Sequence, residues 1–187
     1  MAPGERTASG PSVAPDERTA NLLGALALTL ADRTDTAVKD GAGVAGSDAA
    51  ALVTLRNYAE GEPLDLLRKA LGLSHPGIVR LADRLQDRGL VERHRSDRDG
   101  RAVALRLTSS GRRAADDAIA ARGQAIAAAL GALDAAERRA LTGMLERMLT
   151  AETTDRVATL TICRMCDPDV CGHPDRCPVT QAGMALA

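Results

Sequence analysis

The segment Pro63 to Thr108, PLDLLRKALGLSHPGIVRLADRLQDRGLVERHRSDRDGRAVALRLT, constrains the fold more than any other part of this 187-residue chain. It predicts a short helix, a tight turn at Gly72-Leu73, a second helix opened by Ser74, and two strands joined by a charged loop. Ser74 is an N-cap candidate, and Pro76 falls in the first turn, where a missing N–H costs nothing. Ile78, Leu81, Ala82 and Leu85 recur at helical spacing as one apolar face. His75, Gly77, Val79, Arg80, Asp83 and Arg84 are left outside it, a partly basic surface of the kind that reads a major groove. Gly89 closes the helix. Leu90–His94 and Arg101–Leu107 then alternate as a two-stranded ribbon, with Asp99-Gly100 as the turn and Arg95, Arg98 and Arg101 near its tip.

Charge is distributed to match. Between Arg68 and Arg106 ten basic residues face five acidic ones, so this segment carries about +5 while the chain as a whole carries −1. The attraction for phosphate is therefore concentrated in the winged segment. The competing reading is an ordinary solvated surface of alternating sign, since Asp83, Asp87, Asp97 and Asp99 are interleaved.

The run LGLSHPGIVRLADRLQDRGLVER, followed by RDGRAVALRLTSSG, resembles the MarR family of dimeric winged-helix transcriptional regulators. A weaker likeness extends from about Asn21 to Thr150. The resemblance implies that Ser74, His75, Pro76, Gly77, Val79, Arg80 and Arg84 on the second helix, with Arg95, Arg98 and Arg101 in the wing, contact DNA bases or phosphates. Arg98 would be the wing arginine that borders the minor groove. Ser96 stands where the family often carries Asp, with Asp97 adjacent.

The expected fold is mainly α with a small β wing: a winged helix-turn-helix DNA-binding domain, a helical dimerisation region and a Cys-rich C-terminal tail. With no Phe or Trp and a single Tyr, the core must come from aliphatic residues, which favours close helix packing over an aromatic-rich sandwich. Residues 1–17, rich in Pro, Gly, Ser and Ala, read as a disordered arm without the apolar core of a signal peptide. Residues 18–46 read as an N-terminal dimerisation helix and loop, with Leu22, Leu23, Leu26, Leu30 and Val38 as an interrupted stripe ended by GAGVAGS. Ser47 is expected to cap the first helix of a winged domain spanning 47–108, with Tyr58 in its core or lining a pocket. Residues 109–160 supply C-terminal dimerisation helices, the second opened by an Asp134/Glu137 capping box, striped by Leu141, Met144, Leu145, Met148 and Leu149, and continuing to about Leu160. No apolar run reaches membrane-spanning length, so a cytoplasmic protein is expected.

The tail, 161–187, holds all four cysteines, Cys163, Cys166, Cys171 and Cys177, with His173 among them. Four thiols in one short loop can close a tetrahedral zinc site and replace a core the segment is too short to build, with His173 as a possible substitute ligand. The same set can hold an iron-sulfur cluster. Paired disulfides acting as a thiol switch are a third reading, disfavoured in a reducing compartment. The site was expected to follow the dimer helix directly and so to sit at the dimer end of the molecule.

An enzyme is not expected, because neither His75 nor His94 sits in a nucleophile and carboxylate constellation, and no phosphate-binding Gly loop occurs. The leading function is a homodimeric transcriptional regulator, a repressor, of near-palindromic double-stranded DNA, responsive to a small molecule, a metal or a redox signal. The alternatives are a protein-interaction module with a zinc-stapled tail and a dithiol oxidoreductase centred on Cys163 and Cys166. The basic wing weighs against the first, and the missing βαβ pattern against the second.

Overall fold

A computed structural model describes residues 15–186. The expected fold class holds: helices dominate, and a single two-stranded antiparallel sheet forms the wing. The first helix, α1, runs unbroken from Pro15 to Ala42, so residues 15–17 are helical, and the expected arm otherwise lies outside the described residues. It packs along α5 (Ser109–Leu130), whose small Ala114, Ala115 and Ala118 are buried and permit close approach.

The second helix, α2 (Gly46–Thr54), begins with Gly46 at φ +53°, a conformation glycine adopts at little cost, and has no side-chain cap. Ser47 therefore does not cap it. Its buried Leu52 and Val53 face the core, and Leu55–Ala59 continues it as a π-helical turn. The helix-turn-helix follows, with α3 (Leu64–Ala70) and α4 (His75–Asp87). Both helices stop in the same way. Gly72 (φ +63°) and Gly89 (φ +65°) take the left-handed position, and the amides of Leu73 and Leu90 return to the carbonyls of Arg68 and Leu85. This double closure satisfies the last carbonyls and turns the chain sharply.

The wing pairs β1 (Val91–Arg95) with β2 (Val103–Leu107) in the register Val91↔Leu107 to Arg95↔Val103, each strand differing slightly from the bounds read in the sequence. Leu105 and Val91 close the core under α4 with Leu52, Leu67, Ile78, Leu81 and Leu85. Thr108 caps α5, its hydroxyl accepting from the Gly111 amide at 3.0 Å and donating to the Gly89 carbonyl at 2.7 Å. That pair of bonds seats the start of α5 on the end of the reader helix.

The capping box forms as expected on α6 (Ala135–Glu152), but the helix does not continue to Leu160. It stops at Thr153, whose buried hydroxyl bonds back to the Leu149 carbonyl at 2.7 Å, and Asp155 caps a separate α7 (Arg156–Cys163). Two short helices complete the tail, α8 (Pro168–Cys171) and α9 (Pro178–Ala185). Among the described residues, no helix is long and apolar enough to cross a membrane.

Candidate nucleic-acid interface and cysteine pocket

Helix α4 divides into two functional halves by how its polar side chains are engaged. Ser74 is spent as the cap, its Oγ accepting from the Gly77 amide at 3.2 Å. Toward the C-terminal half, the Arg84 guanidinium grips the buried Asp48 carboxylate of α2, with Nε 3.1 Å from both oxygens and Nη2 2.5 Å from Oδ1. This contact holds the Arg84 charge even more firmly, raising its pKa through the Asp48 hydrogen bond. Arg88 adds a longer contact to Asp48 at 3.6 Å and donates to the Gly43 carbonyl at 2.7 Å. Asp83 holds Arg93 of β1 at 2.6 Å. The N-terminal half differs: His75, Pro76, Val79 and Arg80 are exposed, and Arg80 has no ion pair among the described residues.

The wing loop is shaped by Ser96. Buried, it accepts the amides of Arg98 at 3.2 Å and Asp99 at 3.4 Å, while Asp99 accepts the Arg101 amide at 3.0 Å. Arg95 donates to the Gly100 carbonyl at 2.7 Å. Asp97 turns away from Arg98 and takes the Arg106 guanidinium on both oxygens at 2.7 Å. Arg98 is instead 3.3 Å from Glu62, with its side chain 77% exposed, a contact weak enough to exchange for a phosphate. Arg101 is exposed beside it.

The cysteines come together, in a place the sequence did not indicate. The tail bridges two parts of the molecule, α7 lying on α3 and α9 on α6. Three side chains of the α2 extension hold it by its backbone. Thr54 donates to the Arg164 carbonyl at 3.3 Å, Asn57 to that of Cys166 at 2.9 Å, and Tyr58 to that of Leu160 at 2.9 Å. All four cysteines, with His173, line one cavity of about 320 Å³, whose opposite wall includes Tyr58, Glu62 and Arg98. The site thus adjoins the wing as well as the helical end of the molecule.

Within the cavity the sulfurs stand in two pairs. Cys171 Sγ lies 3.6 Å from Cys177 Sγ. Cys163 and Cys166 make the other pair; their hydrogen bond pushes the Cys163 thiol strongly up and pulls Cys166 down to about 6, helped by Arg122 and Arg164. Burial, then the bond to Cys177, raises Cys171 to about 11. Burial opposes ionisation of Cys177, but hydrogen bonds from Thr180, Cys171 and the Val179 amide outweigh it and lower its pKa. Each pair therefore combines one acidic thiol with one reluctant one. His173 is exposed and bound through Nδ1 to the Thr180 hydroxyl at 2.9 Å. Among the described residues, no three Asp, Glu, His or Cys side chains are grouped so as to hold a metal ion as they stand.

Residues 65–102, from α3 through the wing turn, match the MarR family model. The chain belongs to the MarR family. Solved structures agree over much more of its length. A MarR-family transcriptional regulator from Rhodococcus sp. RHA1 is 26% identical, with 73% of this chain and 97% of that one covered at a TM-score of 0.57. CouR from Rhodococcus jostii RHA1, solved with p-coumaroyl-CoA bound, is also 26% identical, covering 73% and 95% at 0.58. The Mycobacterium tuberculosis MarR family protein Rv2887, solved in complex with DNA, is 22% identical and shares the fold, covering 69% and 95% at 0.57. This MarR-family chain has the transcriptional-regulator fold, and its family match ends at residue 102, well before Cys163.

Sequence reasoning missed Asp48, Glu62 and Asn57. An acid three residues into an Ala-rich helix, and a Glu-Gly-Glu turn, carry no local signal of what they will meet across the fold.

Proposed function

We propose that this protein is a homodimeric, sequence-specific DNA-binding repressor acting in the cytoplasm on a near-palindromic double-stranded operator, with no catalytic activity. The observation that carries the reading is the unengaged N-terminal half of α4 beside a wing whose Arg98 is only loosely held. His75, Pro76, Gly77, Val79 and Arg80 enter the major groove, and Arg95, Arg98 and Arg101 follow the adjacent backbone or minor groove. Ser74 and Arg84, engaged within the fold, orient the helix. Dimerisation is supported by exposed apolar side chains on two terminal helices, Leu22, Leu23 and Leu26 on α1 and Met144, Leu145 and Met148 on α6. A second copy, covering both faces, places two reader helices in successive major grooves. The effector is a small molecule, as CouR binds p-coumaroyl-CoA, or a metal or redox signal received at the cysteine pocket.

The test is quantitative gel shift on the operator selected from random DNA. Arg80→Ala should cost about 1–3 kcal/mol and relax discrimination at one position per half-site. Arg98→Ala should weaken all sequences alike and lower the salt slope. Wild-type binding by both variants would refute the placement of the reader helix and wing.

A further inference from the structure

The tail poses a physical problem. From Thr153 onward only Thr153, Cys177 and Val179 are buried, while Val157, Val170, Met184 and Leu186 remain exposed. Helices as short as α7, α8 and α9 do not persist on propensity, and so little buried apolar surface does not hold them. A bound inorganic group that crosslinks the segment supplies what packing does not.

The spacing of the sulfurs indicates its size. A disulfide would bring two sulfurs to about 2.05 Å. Two thiolates on one tetrahedral metal, with metal–sulfur bonds of about 2.3 Å, stand about 3.8 Å apart. The 3.6 Å between Cys171 and Cys177 matches the second case. A single ion would need all four sulfurs at that spacing, yet no three ligating side chains are so grouped, and a cavity of about 320 Å³ is lined by both pairs. The group that fits takes sulfurs two by two and has a volume of its own.

We propose that Cys163, Cys166, Cys171 and Cys177 hold a sulfide-bridged two-iron cluster in the cavity between the tail and the winged helix, each sulfur pair binding one iron. Four cysteine thiolates are the ordinary ligand set of such a cluster. The Cys163/Cys166 pair is held on the winged-helix side, where Asn57 and Tyr58 fix the carbonyls of Cys166 and Leu160. The Cys171/Cys177 pair belongs to α8 and the start of α9. The cluster joins the two. Arg122 and Arg164, close enough to stabilise a Cys166 thiolate, offset part of its negative charge. His173, tied to Thr180, is not a ligand. Nothing in this assignment depends on DNA binding.

The experiment uses the full chain, expressed with ample iron and purified without oxygen. Two irons and two acid-labile sulfides per chain are expected, with visible sulfur-to-iron absorption. Cys166→Ser and Cys177→Ser, one from each pair, should abolish the absorption, and His173→Ala should leave it unchanged. Tyr58 supplies an internal readout, being the sole tyrosine in a chain without tryptophan and part of the cavity wall. Its emission should be quenched several-fold with the cluster present and recover when a chelator and oxygen remove it. One zinc per colourless chain, four irons with four sulfides, or a metal-free protein with four freely titratable thiols would each overturn the assignment. Emission indifferent to cluster removal would overturn its location. Should Cys177→Ser fail to fold, the wild-type iron and sulfide counts and Cys166→Ser decide.

Discussion

Tyr58 donates its hydroxyl to the Leu160 carbonyl at 2.9 Å, joining the π-helical turn of the winged domain to the first tail helix across 102 positions of sequence. Burial pushes its pKa up to about 12 from the ordinary 10. The folded state thus favours the protonated phenol. That contribution is fully present below about pH 10 and is lost as pH rises through about 12. An absorbance titration of the folded protein should place the midpoint of this single tyrosine near 12, and that of the urea-unfolded chain near 10. Tyr58→Phe, which keeps the ring and deletes the bond, should cost roughly 0.5–1.5 kcal/mol and speed proteolysis after Thr153. A folded-state midpoint at 10 would mean the hydroxyl faces water.

Asp48 is the acid that fixes the tilt of the reader helix. It is buried, while the Arg84 and Arg88 side chains it receives are 49% and 40% exposed. Water can therefore rescue the cations but not the lost bonds, and Asp48→Ala should destabilise by about 1–2 kcal/mol, below the cost of breaking a fully buried pair. For a chain of this size that lowers the melting temperature by roughly 2–8 °C. An unchanged melt would show that apolar packing alone orients α4.

Two glycines on α5 should respond oppositely to the same substitution. A Cβ at Gly111 would overlap the Leu90 carbonyl oxygen, where α5 sits on the end of α4, whereas at Gly123 it meets nothing within 4 Å. Gly111→Ala should therefore cost about 1–3 kcal/mol or more, since backbone must move. Gly123→Ala, exposed and mid-helix, should gain about 0.5–1 kcal/mol. Denaturant midpoints compare them directly.

Leu145, 44% exposed on α6, tests the dimer. Leu145→Asp puts a carboxylate into the apolar face proposed to meet a second copy, so light scattering should find a dimer for the wild type and a monomer for the variant. Operator affinity should fall by the loss of one half-site. A wild-type monomer that binds a palindrome tightly would contradict it.

The features legible in the sequence were those written in neighbouring residues. Ser74 with Pro76, Gly72 and Gly89, and the Asp134/Glu137 pair each combine a residue type with an offset, and each sits where that chemistry places it. The break at Thr153 was not legible, because Thr-Thr-Asp contains neither Gly nor Pro and the stop depends on a hydroxyl bonding back to Leu149. Ser47 looked like a cap, yet α2 begins one residue earlier at a glycine with positive φ. At the candidate site, clustering of the cysteines announced that they act together. Where they act could not be read, because Asn57 and Tyr58 reach the tail over more than 100 residues.

The π-helical turn at Leu55–Ala59 also sets which changes of length this chain can survive. Such a turn houses more residues than an α-helical path over the same distance. Deleting any one of the five would let the segment rewind as α and rotate all that follows by about 100°. Gly61, whose amide and carbonyl meet Leu105 and Asp97 of the wing at 3.1 and 3.0 Å, would lose both partners. Insertions elsewhere need not do this: the connection after Leu130 carries no such double contact, and an added residue there only lengthens a surface loop. Among related chains, gaps should therefore collect around residues 131–134 and be missing from 55–61.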